Sequence, residues 1–160
     1  MTLREFYVER RRAEHPIFLR VLKSLPRDRV DYKPHERGPS AQQIVWTMTS
    51  ELLSCLEAAK DFRTQWHGGP MPAFDEMLAL FEQRSSELTD VVASSDDAAW
   101  NRVAQFYYNG KLVSQQPVGQ FLWYIHFDAI HHRGQLSTYL RPMGGKVPAI
   151  YGPSADSAAS

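Results

Sequence analysis

The chain's 160 residues, 43% hydrophobic and 22% charged, are enough for one buried core and short for two. Eighteen basic residues balance eighteen acidic ones, which removes the electrostatic footprint of a nucleic-acid or anionic-membrane binder. A single cysteine excludes a disulfide framework and a Cys-rich zinc module, and fits a reducing, cytoplasmic setting.

Thr2 and Glu5 stand in capping-box spacing, so a helix is expected to open at the first residues. Leu3, Phe6, Tyr7, Ile17, Phe18, Val21, Leu22 and Leu25 recur near helical spacing, and Pro16, which lacks a donor, should kink this helix near His15. A polar, proline-marked loop follows over 26–39. Ser40 and Gln43 form a second capping box, and Ile44, Met48, Leu52, Cys55 and Ala59 stripe a second helix ending near Lys60. Gly68, Gly69 and Pro70 break the chain over 66–72. The third stripe is Phe74, Met77, Leu78, Phe81, Ser85, Leu88 and Val92, with Asp75 and Glu76 in the first turn where the helix dipole favours negative charge. It should end before Asp96.

Phe106, Tyr107 and Tyr108, then Asn109-Gly110, then Lys111, Leu112 and Val113 predict a small hairpin, because a two-residue turn of this kind needs positive φ at both central positions. The last helix is expected over about 117–140, stopped by Pro142, Gly144 and Gly145. The longest apolar run, 121–125, is far below the roughly 20 residues of a membrane span. Arg10, Arg11 and Arg12 are followed by Glu14, His15 and Pro16 where an export signal would need an apolar stretch. The economical fold is all-α: an up-down-type four-helix bundle with a small β-hairpin insertion before the last helix, one domain over 1–152 with a flexible tail over 153–160.

Polar residues that share an apolar stripe must be satisfied by a partner, a water or a metal. On the last helix, Asp128 and His132 stand at i, i+4 among Val118, Phe121, Leu122, Ile125, Ala129 and Leu136. On the second helix, Thr47 and Glu51 fall in the same way between Ile44, Met48, Leu52 and Cys55. These four could supply three or four ligands to a divalent cation and leave a position for water. The plainer alternative is local: Asp128 accepts from His132 or a hydroxyl, Glu51 tilts to solvent, and Thr47 bonds back to its own helix.

Other candidates carry less chemistry. His126 and His131 lie off the main stripe and read as polar or interface groups; His15, His35 and His67, at a kink or in loops, read as solvated. Cys55 reads as a small buried hydrophobe without a cation cluster to activate it. Gly134 costs a helix interior about 1 kcal/mol against Ala, which suggests a close backbone neighbour. It falls on a second apolar line with Trp123, Phe127, Ile130 and Ser137, to be covered either by the hairpin and tail or by a second subunit.

The run His131-His132-Arg133-Gly134-Gln135-Leu136, continuing through Tyr139-Leu140-Arg141 to Gly144, Pro148 and Tyr151-Gly152-Pro153-Ser154, resembles the C-terminal signature of the DinB family, which includes the YfiT-like proteins. Ser40, Ile44, Trp46 and Glu51 are similar to the family's second helix, and Tyr32, Pro34 and His35 to its first connection. The resemblance implies a four-helix bundle, commonly a homodimer. It also implies a divalent metal on three histidines, one from the second helix and two at i, i+4 on the last. His132 matches the last of these, while Asp128 and Thr47 stand where the other two would be. Some members are thiol-dependent transferases or isomerases, so the resemblance implies a metal-dependent transferase or hydrolase acting on a small molecule or thiol. Nickel, zinc and manganese are the candidate ions. The alternative is a non-catalytic dimer that has lost the metal and binds a small ligand or another protein.

Overall fold

Both capping boxes form. In the computed structural model, which describes residues 1–157, Thr2 Oγ1 accepts from the Glu5 N–H at 3.2 Å and Glu5 returns a carboxylate oxygen to the Thr2 N–H at 2.8 Å. They open α1, Leu3–Lys23, which runs without a break through Pro16. Pro16 and Arg12 are both exposed, so the Arg12 carbonyl that Pro16 leaves without a helical donor can take water. Ser40 and Gln43 make the same reciprocal bonds at the start of α2, Ala41–Asp61, which ends where Phe62 turns left-handed at φ 56°. After the short strand β1, Arg63–Gln65, come α3, Phe74–Ser94, and the one-turn α4, Asp97–Asn101, capped by Asp96. The strands β2, Val103–Tyr108, and β3, Lys111–Pro117, lead into α5, Val118–Leu140.

The hairpin turns at Asn109 and Gly110, both at positive φ (47° and 74°), as their side chains favour. It is one strand richer than expected. β1 pairs in parallel with β2, Arg63 opposite Gln105 and Gln65 opposite Tyr107, giving a three-stranded sheet in the order β1-β2-β3. Three residues are too few to show an alternating pattern, which is why the strand is hidden in the sequence. The helix beyond the expected four, α4, is also short, at five residues. Its Trp100 packs so closely over α5 that a Cβ on Gly119 would overlap the indole, so glycine there is a steric requirement.

The four long helices surround one core. α1 packs against α3 and α5, and α2 against the same two, so that α1 and α2 are set across from each other. Their buried stripes are those read from the sequence, with a correction on α1. Leu3 and Phe6 are 71% and 41% exposed, and the inward face is Tyr7, Val8, Arg11, Glu14, Phe18, Val21 and Leu22. Two charged residues belong to the buried line. Arg11 donates to the Ser85 hydroxyl and carbonyl, and Glu14 pairs with Arg133 of α5, itself 1% exposed. Tyr151, from the segment after α5, donates to Glu14 and accepts from Arg133 at 2.6 Å. The end of the chain is further held where Asp156 accepts from Arg141 and from the Val147 N–H, both at 2.9 Å. The expected tail of 153–160 is described only as far as 157, and its last three residues lie outside the described residues.

His126 also differs from expectation. It is 2% exposed, enclosed by the rings of Tyr7, Phe18 and Trp123, and burial pushes its pKa down to about 4. Its place off the main stripe suggests a polar or interface group, but Tyr7 and Phe18 of α1 and Trp123 of α5 cover it. His15 and His67 are half-buried and bonded, to Ser85 at 2.9 Å and Glu57 at 2.7 Å, rather than solvated.

Removing one partner of a buried ion pair leaves the other charge stranded, at about 3–5 kcal/mol. Glu14→Ala is therefore expected to lower unfolding free energy by that order in urea titrations, and the double change Glu14→Ala with Arg133→Met to recover most of it. A single-variant loss within about 0.5 kcal/mol, the range of surface substitutions, would contradict the buried pairing.

Candidate metal centre

α2 and α5 lie side by side, and the seam between them collects the polar residues of both stripes. Glu51, Asp128 and His132 each offer a ligand atom, and these atoms all lie within 4.8 Å of one another. Asp128 and His132 superimpose because they are one turn apart, with His132 Nε2 3.2 Å from Asp128 Oδ2. Glu51 is 8% exposed and does not tilt to solvent; its Oε2 is buried with no hydrogen-bond partner. The Asp128 side chain is 37% exposed, so the site is open on one side.

A second layer fixes the imidazole. Tyr139 donates its hydroxyl to the Pro39 carbonyl at 3.1 Å and so accepts from Gln135 Nε2 at 3.3 Å. That leaves Gln135 Oε1 as the group facing His132 Nδ1, at 3.2 Å. An oxygen there calls for N–H on Nδ1, which turns Nε2 toward the carboxylates as the nitrogen available to a ligand. Sequence reading missed Gln135 and Tyr139, although their i+3 and i+7 spacing from His132 places all three on one face.

The fourth predicted residue stands apart from this arrangement. Thr47 is half-buried one turn before Glu51, and its hydroxyl donates to the Gln43 carbonyl of its own helix at 3.0 Å. Cys55, one turn after Glu51, is fully enclosed, and burial pushes its thiol well above the ordinary range.

Electrostatically the site lacks positive charge. Burial first, and then the neighbouring Asp128 carboxyl, raise the Glu51 pKa to about 9. Two acids and an imidazole gathered at one point can be reconciled by a proton or by a metal cation. The donor set of two carboxylates and one imidazole fits a divalent ion with room for a further ligand.

A helical bundle with a carboxylate and imidazole centre between two helices is the class these features define. The chain belongs to the DinB family, whose model it matches over residues 2–159. Among solved structures it is similar to a DinB-like protein from Bacillus subtilis, YjoA, at a TM-score of 0.70 and 16% identity, covering 92% of this chain and 99% of that one. It is also similar to YfiT from Bacillus subtilis, described as a probable metal-dependent hydrolase with an unusual four-helix bundle topology. There the TM-score is 0.61 with 12% identity, over 88% of this chain and 87% of that one. At such identities the likeness is one of fold. No curated protein matches the chain.

The displaced pKa values set a pH profile for the metal-free chain. Folded Glu51 keeps its proton to about pH 9, while unfolded it releases it near the model-peptide value of 4.5, so stability falls as pH rises through that window. Folded His126 stays neutral down to about pH 4 and gains a proton near 6.5 when unfolded, so it opposes the first trend below 6.5. Melting temperature should therefore change little from pH 5 to 6.5 and decline from 6.5 to 9. Glu51→Gln should flatten the upper decline; a variant that retains the full slope would place its origin elsewhere.

Proposed function

We propose that the chain is a metal-dependent hydrolase or transferase acting on a small molecule, with Glu51, Asp128 and His132 holding a divalent cation. The observation that carries this reading is the meeting of three ligating groups within 4.8 Å: a buried Glu51 oxygen without a hydrogen-bond partner, the Asp128 carboxylate and His132 Nε2. Mixed oxygen and nitrogen ligation suits nickel, zinc or manganese. Bound there, such an ion supplies a Lewis acid and lowers the pKa of a water or thiol. The chain's own groups do the rest. Glu51 yields its proton as the cation arrives, Gln135 and Tyr139 hold the imidazole in place, and the exposed side of Asp128 leaves the approach for substrate. Thr47 would join only through a lone pair, its proton being engaged by Gln43.

A second reading has one observation in its favour. With Thr47 tied back and Glu51 protonated at neutral pH, the pair is satisfied by a proton, as in a non-catalytic member that binds a small ligand or a partner protein. Metal addition separates the two. Nickel, zinc or manganese at a hundred times the Kd should stabilise tag-free protein by about 2.7 kcal/mol, and a chelator should reverse this. At one fixed metal concentration the rise should be larger at pH 8 than at pH 6, because binding displaces the Glu51 proton and tightens as that proton is lost, and it should vanish in Asp128→Ala and His132→Ala. Melting curves indifferent to all three ions would leave the second reading.

Assembly as a homodimer is part of the proposal, and the lone, buried Cys55 suits a cytoplasmic setting. Among the described residues, no helix is long and apolar enough to cross a membrane. The second line on α5 meets α1 rather than the hairpin: Trp123 lies 5.8 Å from Phe6, while Phe127, stacked on Trp123, remains 61% exposed. Among the described residues, nothing outside the helix's own backbone approaches within 4 Å of a Cβ built on Gly134, so the close neighbour its glycine suggests would come from a second copy. Gly134→Leu therefore has room in the protomer and should remain folded. Light scattering should find this variant monomeric beside a dimeric wild type; equal masses would remove α5 from the interface.

A further inference from the structure

Glu51 faces two ways. Beyond the cluster with Asp128 and His132, it forms one wall of a cavity of about 450 Å³ between α2, α5 and the sheet. The sequence builds this space from three directions. α5 contributes Phe121, Tyr124 and Ile125, which share a face at i, i+3, i+4. Trp66, fixed where its N–H meets the Tyr107 carbonyl at 3.0 Å, closes the β1 side. The sheet adds Phe106, whose ring lies 5.7 Å from that of Phe121.

The irregularity in the β2–β3 register has a purpose here. Phe106 pairs with Ser114 and Tyr107 with Leu112, which leaves Val113 as the extra residue of a bulge. In a regular strand successive side chains point to opposite faces, yet Val113 and Ser114 both line the cavity. The bulge thus turns an additional apolar side chain toward it. Val113 and Tyr124 are left 55% and 67% exposed at its margin, an arrangement that a purely structural packing would not require.

The charge of the lining decides what fits. No Lys, Arg or His is among the described residues that form it, and its one carboxyl group is Glu51. The Ser54 hydroxyl is already engaged with the Gln65 carbonyl at 2.8 Å. In the metal-free chain an anion entering here would lose its water without meeting a counter-charge. A flat apolar ring would meet indole and phenyl faces, in a volume within the range that encloses small organic ligands.

We propose that this cavity binds an uncharged aromatic group of a small molecule and directs the polar end of that molecule toward Glu51. Its role as the substrate cavity rests on the metal-centred reading given above. Binding of the ring itself depends only on the cavity.

The test uses a matched pair that differs in charge, 2-naphthol and 2-naphthoate, titrated calorimetrically into the full chain at pH 7. The naphthol should bind at least tenfold more tightly than the naphthoate. Trp66→Ala should weaken naphthol binding about two- to tenfold, the scale of one aromatic contact. Val113→Arg, at an exposed position, should narrow the difference by giving the carboxylate a partner. No naphthol binding at millimolar concentration, equal affinity for the two compounds in the wild type, or an unchanged affinity in Trp66→Ala would each overturn the proposal. The two readings fail separately. Wild type that responds to metal in melting experiments but ignores naphthol overturns the cavity assignment alone. Asp128→Ala and His132→Ala should still bind naphthol as the wild type does, and naphthol binding in a chain that never responds to metal would overturn the metal reading alone.

Discussion

Two carboxyl groups set together on neighbouring helices, one of them buried, need a positive charge between them, and the seam of α2 and α5 is arranged around that need. Burial removes the water that would otherwise separate Glu51 from Asp128, and the raised pKa of Glu51 is the direct result. His132 joins them from α5, where Gln135 Oε1 accepts from its Nδ1–H and so turns Nε2 inward. The layer behind it reaches from Gln135 through Tyr139 to the carbonyl of Pro39, the residue before the α2 cap. The orientation of an α5 imidazole is thereby tied to the start of α2, the helix that carries Glu51.

Elsewhere the bundle satisfies buried polar groups by other means, and the contrast sharpens the reading of the centre. Glu14 and Arg133 neutralise each other, Arg11 is met by Ser85, and His126 gives up its charge among aromatic rings. Arg11 Nε and His126 Nδ1 nonetheless stay without a hydrogen-bond partner, as Glu51 Oε2 does. What sets Glu51 apart is its place, where the seam opens both to solvent beside Asp128 and to the aromatic cavity. An acid stabilised only in its neutral form, at the junction of two open spaces, is poised to exchange its proton for another cation.

The long elements were legible because apolar periodicity and capping chemistry agree in them: Thr2 with Glu5, Ser40 with Gln43, and the 44-48-52-55 stripe all reappear as bonds or buried side chains. Asn109-Gly110 was legible for a conformational reason, since few other pairs accept positive φ twice. What escaped notice was either short or charged. β1 and α4 are three and five residues long, below the length at which a period can be counted. Arg11 and Glu14 complete the 7-11-14-18 face of α1, which an apolar period does not count, while Leu3 and Phe6, apolar at helical spacing, lie exposed. At the centre, spacing alone put Asp128 with His132 and Glu51 on the facing helix. The direction of the Thr47 hydroxyl, the cover over His126 and the cavity beside Glu51 depend on contacts between distant segments, which no local pattern records.

The Glu14–Arg133–Tyr151 link joins positions 119 residues apart and then a third beyond them. During synthesis at about 5–20 residues per second, α1 leaves the ribosome with its carboxylate unpaired for on the order of ten seconds before its arginine exists. No partial chain ending short of α5 can close this seam, and the nascent helix must keep its carboxylate in water until then. The packing of α1 against α3 needs none of this, but its buried charge pair is sealed only once α5 has been made.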